Sequence, residues 1–267
     1  EEYVKLIDTH PEAAEFTRRY MGSSDLIKGV ERYCLWLSAE NHQRACAIPE
    51  IRRRTELVAA FRENSPKAAT RAVAATPWQF GERRHSNKNS AIVPSVSSER
   101  RNYVPIGYVD ANTVISNAAF AVYDAEPWVF ALLTSRMHMV WLRAVGGRLK
   151  TDYRYSNTVV YNNFPVPKLT DAKKNQLADF AFKVLDAREY HAEHTLADLY
   201  DPDALPVGFT DAVLDGFERP KHARLRLERF SRGSDNYHVD VVLGPALTAP
   251  TSALVRALVR EQVMQLW

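Results

Sequence analysis

The sequence predicts an α+β protein, a mixed sheet with packed helices over residues 1–167, followed by a smaller helical region. Short apolar, strand-like runs at 32–37, 91–93 and 103–109 are interleaved with helical patterns at 49–71 and 127–145. Composition then changes behind the prolines Pro165 and Pro167, where an amphipathic helical pattern begins. With 267 residues, 46% of them hydrophobic and 25% charged, the chain can bury one sizeable core or two smaller ones without a metal or disulfide staple.

Taken in order, residues 11–21 read as a short helix, opened by Pro11 at a first-turn position and closed by the turn-like Gly22-Ser23-Ser24-Asp25. Arg32-Tyr33-Cys34-Leu35-Trp36-Leu37 has the composition of a buried strand. From 49 to about 71 the pattern is helical, with Ile51, Leu57, Val58 and Phe61 expected on one side and Arg52, Arg53, Arg54, Arg62 and Lys67 elsewhere; Pro66 is expected to break it in two. A polar loop at 81–90 holds Arg83, Arg84 and Lys88, and the two strand-like runs that follow flank Ser97-Ser98-Glu99-Arg100-Arg101. Residues 127–145, rich in Trp, Phe, Leu and Met, form the clearest helix, with Gly146-Gly147 as its stop and a basic segment directly behind.

Beyond the turn-like Asn162-Asn163-Phe164-Pro165-Val166-Pro167, residues 171–190 read as an amphipathic helix with Leu177, Phe180, Ala181, Val184 and Leu185 inward. The boundary therefore falls at the prolines, giving 1–167 as one domain and 168–215 as a helical region. Residues 216–267 mix a basic patch at 219–232, a strand-like Val239-Asp240-Val241-Val242 and a helical pattern at 255–266, and receive no assignment.

Composition narrows the function classes. Cys34 and Cys46 lack a paired spacing or a zinc-ribbon histidine pattern, so a reduced, cytoplasmic protein is expected. No run approaches the roughly 18 apolar residues of a membrane helix, and no membrane partner is expected. The chain opens on Glu1-Glu2-Tyr3 without a methionine or a secretory signal, as expected of a piece of a longer protein. Net charge is only +3, but it is unevenly placed. Residues 136–154 hold five Lys/Arg against the single acid Asp152, whereas 171–203 hold eight acids against four Lys/Arg.

A search for catalytic chemistry returns nothing. Gly146-Gly147-Arg148-Leu149-Lys150-Thr151 lacks the spacing of a phosphate loop, and Asn162-Asn163-Phe164-Pro165 lacks the double proline of an amino-methyltransferase motif. His191, Glu193 and His194 have no further ligand set and read as solvated surface residues, so no metal is expected. His138 reads as a core or capping histidine, and Ser97 and Ser98 lack a glycine elbow. No catalytic residue is assigned.

Several blocks are nonetheless specific. Phe16-Thr17-Arg18-Arg19-Tyr20-Met21-Gly22-Ser23 is followed by Gly29-Val30-Glu31-Arg32-Tyr33-Cys34-Leu35-Trp36-Leu37, then by Pro94-Ser95-Val96-Ser97-Ser98-Glu99-Arg100-Arg101-Asn102-Tyr103-Val104-Pro105-Ile106-Gly107. Ser135-Arg136-Met137-His138-Met139 comes next, then Gly146-Gly147-Arg148-Leu149-Lys150-Thr151-Asp152-Tyr153-Arg154-Tyr155-Ser156, and last Val160-Tyr161-Asn162-Asn163-Phe164-Pro165-Val166-Pro167. This ordered set resembles the target recognition domain of MmeI-like (Type IIL) restriction and DNA-methyltransferase proteins. Leu185-Asp186-Ala187-Arg188 and Thr195-Leu196-Ala197-Asp198-Leu199-Tyr200-Asp201-Pro202 look like that family's helical C-terminal region; behind them the likeness shrinks to Val213-Leu214-Asp215.

The resemblance implies a module that reads double-stranded DNA and presents a flipped adenine to a methyltransferase core in the same polypeptide, the S-adenosylmethionine being bound by that core and not by this chain. Candidate phosphate contacts are Arg100, Arg101, Arg148 and Arg154. Solvated charge, or for Arg148 a helix C-terminal partner, is the alternative. Lys150 and Asp152 are candidate base readers: two apart in an extended segment they project to one side. Lysine donates to guanine O6 and N7 while aspartate accepts from the cytosine amine, which suits a G·C pair. In the resembled family the matching positions vary as a charge-swapped couple that selects C or G. A surface ion pair between the two is the alternative. Two further classes compete: a self-sufficient methyltransferase or nuclease with degenerate motifs, and a protein-interaction scaffold built on the 127–145 helix.

Overall fold

The computed structural model describes residues 1–204 in full and, beyond them, the backbone of strands at 225–233 and 236–243. The chain opens with α1 (Glu2–Thr9), a 3-10 turn (Pro11–Phe16), β1 (Thr17–Met21), α2 (Ser23–Lys28) and β2 (Tyr33–Leu35). A helical stretch follows, α3 (His42–Ala45), α4 (Pro49–Glu63) and α5 (Ala68–Arg71), and then the strands β3 (Ser90–Pro94), β4 (Val96–Ser97), β5 (Gly107–Val109), β6 (Thr113–Ile115) and β7 (Ala119–Val122). Next come α6 (Pro127–Thr134), α7 (Arg136–Val145), β8 (Gly147–Leu149), β9 (Asp152–Arg154) and a π turn (Asn157–Tyr161), then α8 (Asp171–Tyr190), α9 (Leu196–Leu199), β10 (Leu225–Gly233) and β11 (Asn236–Leu243).

The helix expected over 11–21 ends at Phe16. From Thr17 the backbone is claimed by two neighbours: β2 pairs antiparallel, Arg18 opposite Cys34, and β6 pairs parallel, Tyr20 opposite Val114. Two ladders outweigh a helix propensity worth only tenths of a kcal/mol per residue. The mixed sheet is thus the three-stranded β2-β1-β6, and two further antiparallel sheets, β5-β3-β7 and β4-β9-β8, accompany it among residues 1–167. The expected strand over 103–109 is confined to β5, because Pro105 cannot donate to a ladder. Beyond residue 204, β11 covers the strand-like Val239–Val242 and pairs antiparallel with β10; the helical pattern at 255–266 lies outside the described residues.

The main core joins β3 (Ala91, Val93), α6 (Phe130, Leu133), α7 (Met139, Trp141, Leu142) and Tyr153 and Tyr155 at β9. The helix α8, beyond the proline boundary, buries Ala181 and Val184 in that same core, and the Arg188 guanidinium donates to the Ile106 carbonyl at 2.8 Å. A second core gathers Phe16, Leu37, Ile48 and Ile51 beneath α4. Here the expected apolar side of α4 is corrected. The buried stripe runs through Ile51 and Thr55, whereas Leu57 and Phe61 are 58% and 72% exposed. Six and ten residues on from Ile51, they fall off that stripe at 3.6 residues per turn.

The expected single helix at 127–145 is two. Ser135, with ψ of 156°, closes α6 and caps α7, its hydroxyl accepting from the His138 N–H at 3.2 Å. Gly146 stops α7, but not through a left-handed backbone: its φ is −71°, and a Cβ there would stand 2.5 Å from the Leu142 carbonyl oxygen. Gly146→Ala is expected to cost about 1–3 kcal/mol in urea unfolding, because the backbone must shift to admit the methyl. Gly147→Ala, whose Cβ meets nothing nearer than 3.8 Å, is expected to stay within about 0.5 kcal/mol of wild type.

His138 is fully buried against the edge of Phe164, and its Nε2 lies 2.8 Å from the Tyr155 hydroxyl. Burial pushes its pKa down to about 3, so the folded protein keeps it neutral. The unfolded chain takes up that proton below its ordinary value near 6.5, so this stability is complete above pH 6.5 and is lost progressively towards pH 3. Urea titrations between pH 6.5 and 4.5 are expected to show His138→Gln losing less stability than wild type, by up to about 1.4 kcal/mol per pH unit.

Candidate nucleic-acid interface

The basic segment behind α7 folds as a hairpin. β8 and β9 pair with Gly147 opposite Arg154, Arg148 opposite Tyr153 and Leu149 opposite Asp152, leaving Lys150 and Thr151 as the two-residue tip. β4 adds to the other edge of β9, Val96 opposite Arg154 and Ser97 opposite Tyr153, and so carries the Ser98–Asn102 loop alongside the hairpin. The two basic motifs, some fifty residues apart in sequence, become one surface. A hydrogen bond joins them: the Glu99 N–H donates to Asp152 Oδ1 at 3.3 Å.

Directly opposed residues share a face of an antiparallel pair, so the hairpin has two distinct sides. One carries Tyr153, buried at 7% exposure, with the Arg148 guanidinium 3.9 Å and the Arg143 guanidinium 5.9 Å from its ring centre. The other carries Leu149, Asp152 and the exposed Arg154.

The structure treats the predicted residues unequally. Lys150 is exposed at the tip with φ of 56°, and Asp152 begins β9. They do not lie two apart in one extended strand, so the alternation argument that paired them fails; what places them together is the tip of the hairpin. No ion pair joins them among the described residues, which removes that alternative reading. Arg154 is exposed. Arg148 remains exposed too, while spending one N–H on the Thr151 carbonyl at 2.9 Å. Arg100 is held by Asp203 and lies 3.6 Å from Asp201, both in the acidic segment that follows α9. Arg101 is half-buried with its Nε unpartnered, and burial lowers its pKa against the opposing pull of Asp201 and Asp152.

Three contributors escaped the sequence reading. Arg143 lies over Tyr153 and donates to the Arg101 carbonyl at 3.3 Å; Tyr153 supplies the ring on which both arginines rest; and the Glu99 backbone fixes the Asp152 carboxylate. Alternation along 152–154, polar then aromatic then basic, was the available signal for Tyr153. Nothing local marked Glu99 or Arg143. Among the described residues no cluster of His, Cys, Asp and Glu could hold a metal ion, and no helix is long and apolar enough to cross a membrane.

Comparison with known proteins gives this geometry a context. Residues 1–168 match the family described as MmeI, target recognition domain, and residues 169–215 the one described as MmeI, C-terminal domain. The chain is 38% identical over 244 residues to DNA methyltransferase A of Bacillus subtilis (strain 168), covering 91% of this chain and 27% of that protein. It is also similar to the Type IIL restriction-modification enzyme MmeI solved in complex with DNA, at 35% identity and a TM-score of 0.70, over 82% of this chain and 31% of that one. The chain thus spans less than a third of the length of either relative.

A left-handed backbone at a lysine stores strain that a glycine would not feel. Lys150→Gly is expected to raise unfolding stability by about 1 kcal/mol in chemical denaturation, while Thr151→Gly, with no positive φ to relieve, is expected to lower it or leave it unchanged.

Proposed function

The chain belongs to the MmeI family, carrying its target recognition domain and C-terminal domain, and on that premise we propose that it reads duplex DNA sequence for a methyltransferase catalytic core outside these 267 residues. The observation that carries this is the β4-β9-β8 sheet, whose hairpin brings Arg148, Lys150 and Arg154 together with Asp152, while Arg143 of α7 lies against Tyr153 at its base. A two-stranded ribbon fits the major groove, where bases present distinct donor and acceptor patterns. Lys150 and Asp152 then address one G·C pair, the ammonium donating to guanine O6 and N7 and the carboxylate accepting from the cytosine amine. The Glu99 N–H holds one carboxylate oxygen and leaves the other for the base.

Arg154, Arg148, Arg100 and Arg101 serve the phosphates in this reading, with Arg154 the readiest. Arg100 must first leave Asp201 and Asp203, an exposed exchange of ion pairs that costs little. Residues 1–167 are assigned to the recognition domain and 168–215 to the C-terminal region, of which 205–215 lie outside the described residues, with 216–267 unassigned. The parent methylates the exocyclic amine of adenine in the cytoplasm, with S-adenosylmethionine held by its catalytic domain. A scaffold built on the 127–145 segment finds no support: Phe130, Leu133, Met139, Trp141 and Leu142 are spent in this chain's own core.

Joining the chain to a methyltransferase core of the same family and mapping the methylated sites tests the base readers. Lys150→Glu with Asp152→Arg is expected to change one position of the site from G to C and leave the others unchanged; an unaltered site at full activity would remove both residues from recognition. Arg154→Ala is expected to weaken duplex binding evenly across sequences and to reduce the slope of log affinity against log salt by about 1.

A further inference from the structure

A second surface, apart from the hairpin, has the chemistry of a base-stacking site. A cleft of about 880 Å³ opens between the β2-β1-β6 sheet and β7, walled by Tyr20, Trp36, Phe80, Phe120, Tyr123 and Tyr155. Phe80 stands 5.8 Å from the Tyr20 ring and 5.6 Å from the Trp36 ring, making a continuous aromatic wall. Tyr20, Trp36, Phe80, Phe120 and Tyr123 are only partly buried, whereas Tyr155 belongs to the main core. Cations rim this wall. The Arg83 guanidinium lies 4.7 Å and that of Arg18 5.7 Å from the Trp36 ring centre, and Arg18 Nη1 donates to His85 Nε2 at 2.6 Å, which fixes His85 as a neutral acceptor. Neither Arg18 nor Arg83 is in an ion pair among the described residues, whereas Arg84 is matched by Glu82 at 3.5 Å.

Aromatic faces beside unneutralised arginines are what a nucleic-acid strand meets when its bases are not paired: the rings stack on bases of any identity and the guanidinium groups take the phosphates. Size and stacking select the occupant. A space of about 880 Å³ accommodates one nucleotide, and in a duplex the base faces are already stacked on their neighbours, so only an unpaired base can offer its face to these rings. Tyr155, in the cleft wall, directly follows Arg154, so the cleft opens beside the hairpin's base. We propose that this cleft binds an unpaired DNA nucleotide, stacked on Trp36 and Phe80 with its phosphate at Arg18 and Arg83, next to the duplex bound by the hairpin. This rests on the reading of the chain as a DNA-binding module, and adds a single-strand site to it.

Fluorescence anisotropy of the full 267-residue chain with a labelled oligothymidine, and with a paired duplex of the same length, separates the two surfaces. Trp36→Leu is expected to weaken oligothymidine binding between about fivefold and a hundredfold and to leave duplex binding unchanged, with Trp36→Phe restoring the wild-type value. Arg83→Ala, a change to an exposed side chain that keeps the fold intact, is expected to weaken the single strand and lower its salt slope by about 0.7. Failure of the wild-type chain to bind oligothymidine, or equal losses on both probes in Trp36→Leu and Arg83→Ala, overturns the proposal. Single-strand binding that persists while the wild-type chain ignores the duplex supports the cleft and contradicts the duplex reading of the hairpin instead.

Discussion

The hairpin at 147–154 depends on the hydrogen bond between His138 and the Tyr155 hydroxyl, which ties its second strand to α7. Strands of three residues joined by a two-residue tip are too short to hold themselves in water. Both feet of this hairpin are therefore fixed to one helix. Its first foot leaves α7 at Gly146, whose N–H donates to the Leu142 carbonyl at 2.8 Å. Its second foot returns at Tyr155, tied to His138 in the first turn of the same helix, and a turn later the Trp141 indole donates to the Val160 carbonyl at 2.9 Å. With α7 packed against α6 and β3 in the main core, the tip is presented by a rigid base, which is what discrimination between base edges requires.

That arrangement explains why polar side chains sit in the middle of an apolar core. A histidine held neutral by burial can share a hydrogen bond with a tyrosine hydroxyl without bringing an unpaired charge into the interior. The directional bond sets the register at which the hairpin's second strand leaves the core, which apolar contact alone does not specify. Ring packing of Phe164 against His138 at 4.5 Å closes the same site from the side of the π turn.

Much of this was legible in the sequence, and the failures share a cause. The helices with clean periodicity and explicit ends, α8 above all, lie where 3.6-residue patterning puts them, and the ordered blocks from Phe16 to Pro167 pointed to the family before any geometry. β1 was misread because its identity depends on β6, a strand some ninety residues away that it meets in parallel, and local patterning carries no trace of such a pairing. Leu57 and Phe61 were placed inward because hydrophobicity was counted without asking which stripe of α4 meets the second core. Lys150 and Asp152 were paired by an alternation that the left-handed turn at Lys150 breaks, while the contact that orients Asp152 comes from the backbone of Glu99, a group with no residue signature. The aromatic cleft was invisible for a similar reason: its rings are scattered from Tyr20 to Tyr155 and only the fold assembles them.

Charge is partitioned along the chain between a basic segment at 136–154 and an acidic one at 171–203, and the fold brings the last acids back onto Arg100. The acids after α9 hold Arg100, so this part of the basic surface is neutralised within the chain itself. Hydrogen–deuterium exchange of the full chain, with and without duplex DNA, tests the central claim that the hairpin is the surface meeting the duplex. The account requires slowed exchange across 147–154 and 98–102 on adding duplex, with α4 unchanged; protection confined to other elements, with the hairpin exchanging as fast as in the free protein, would contradict it.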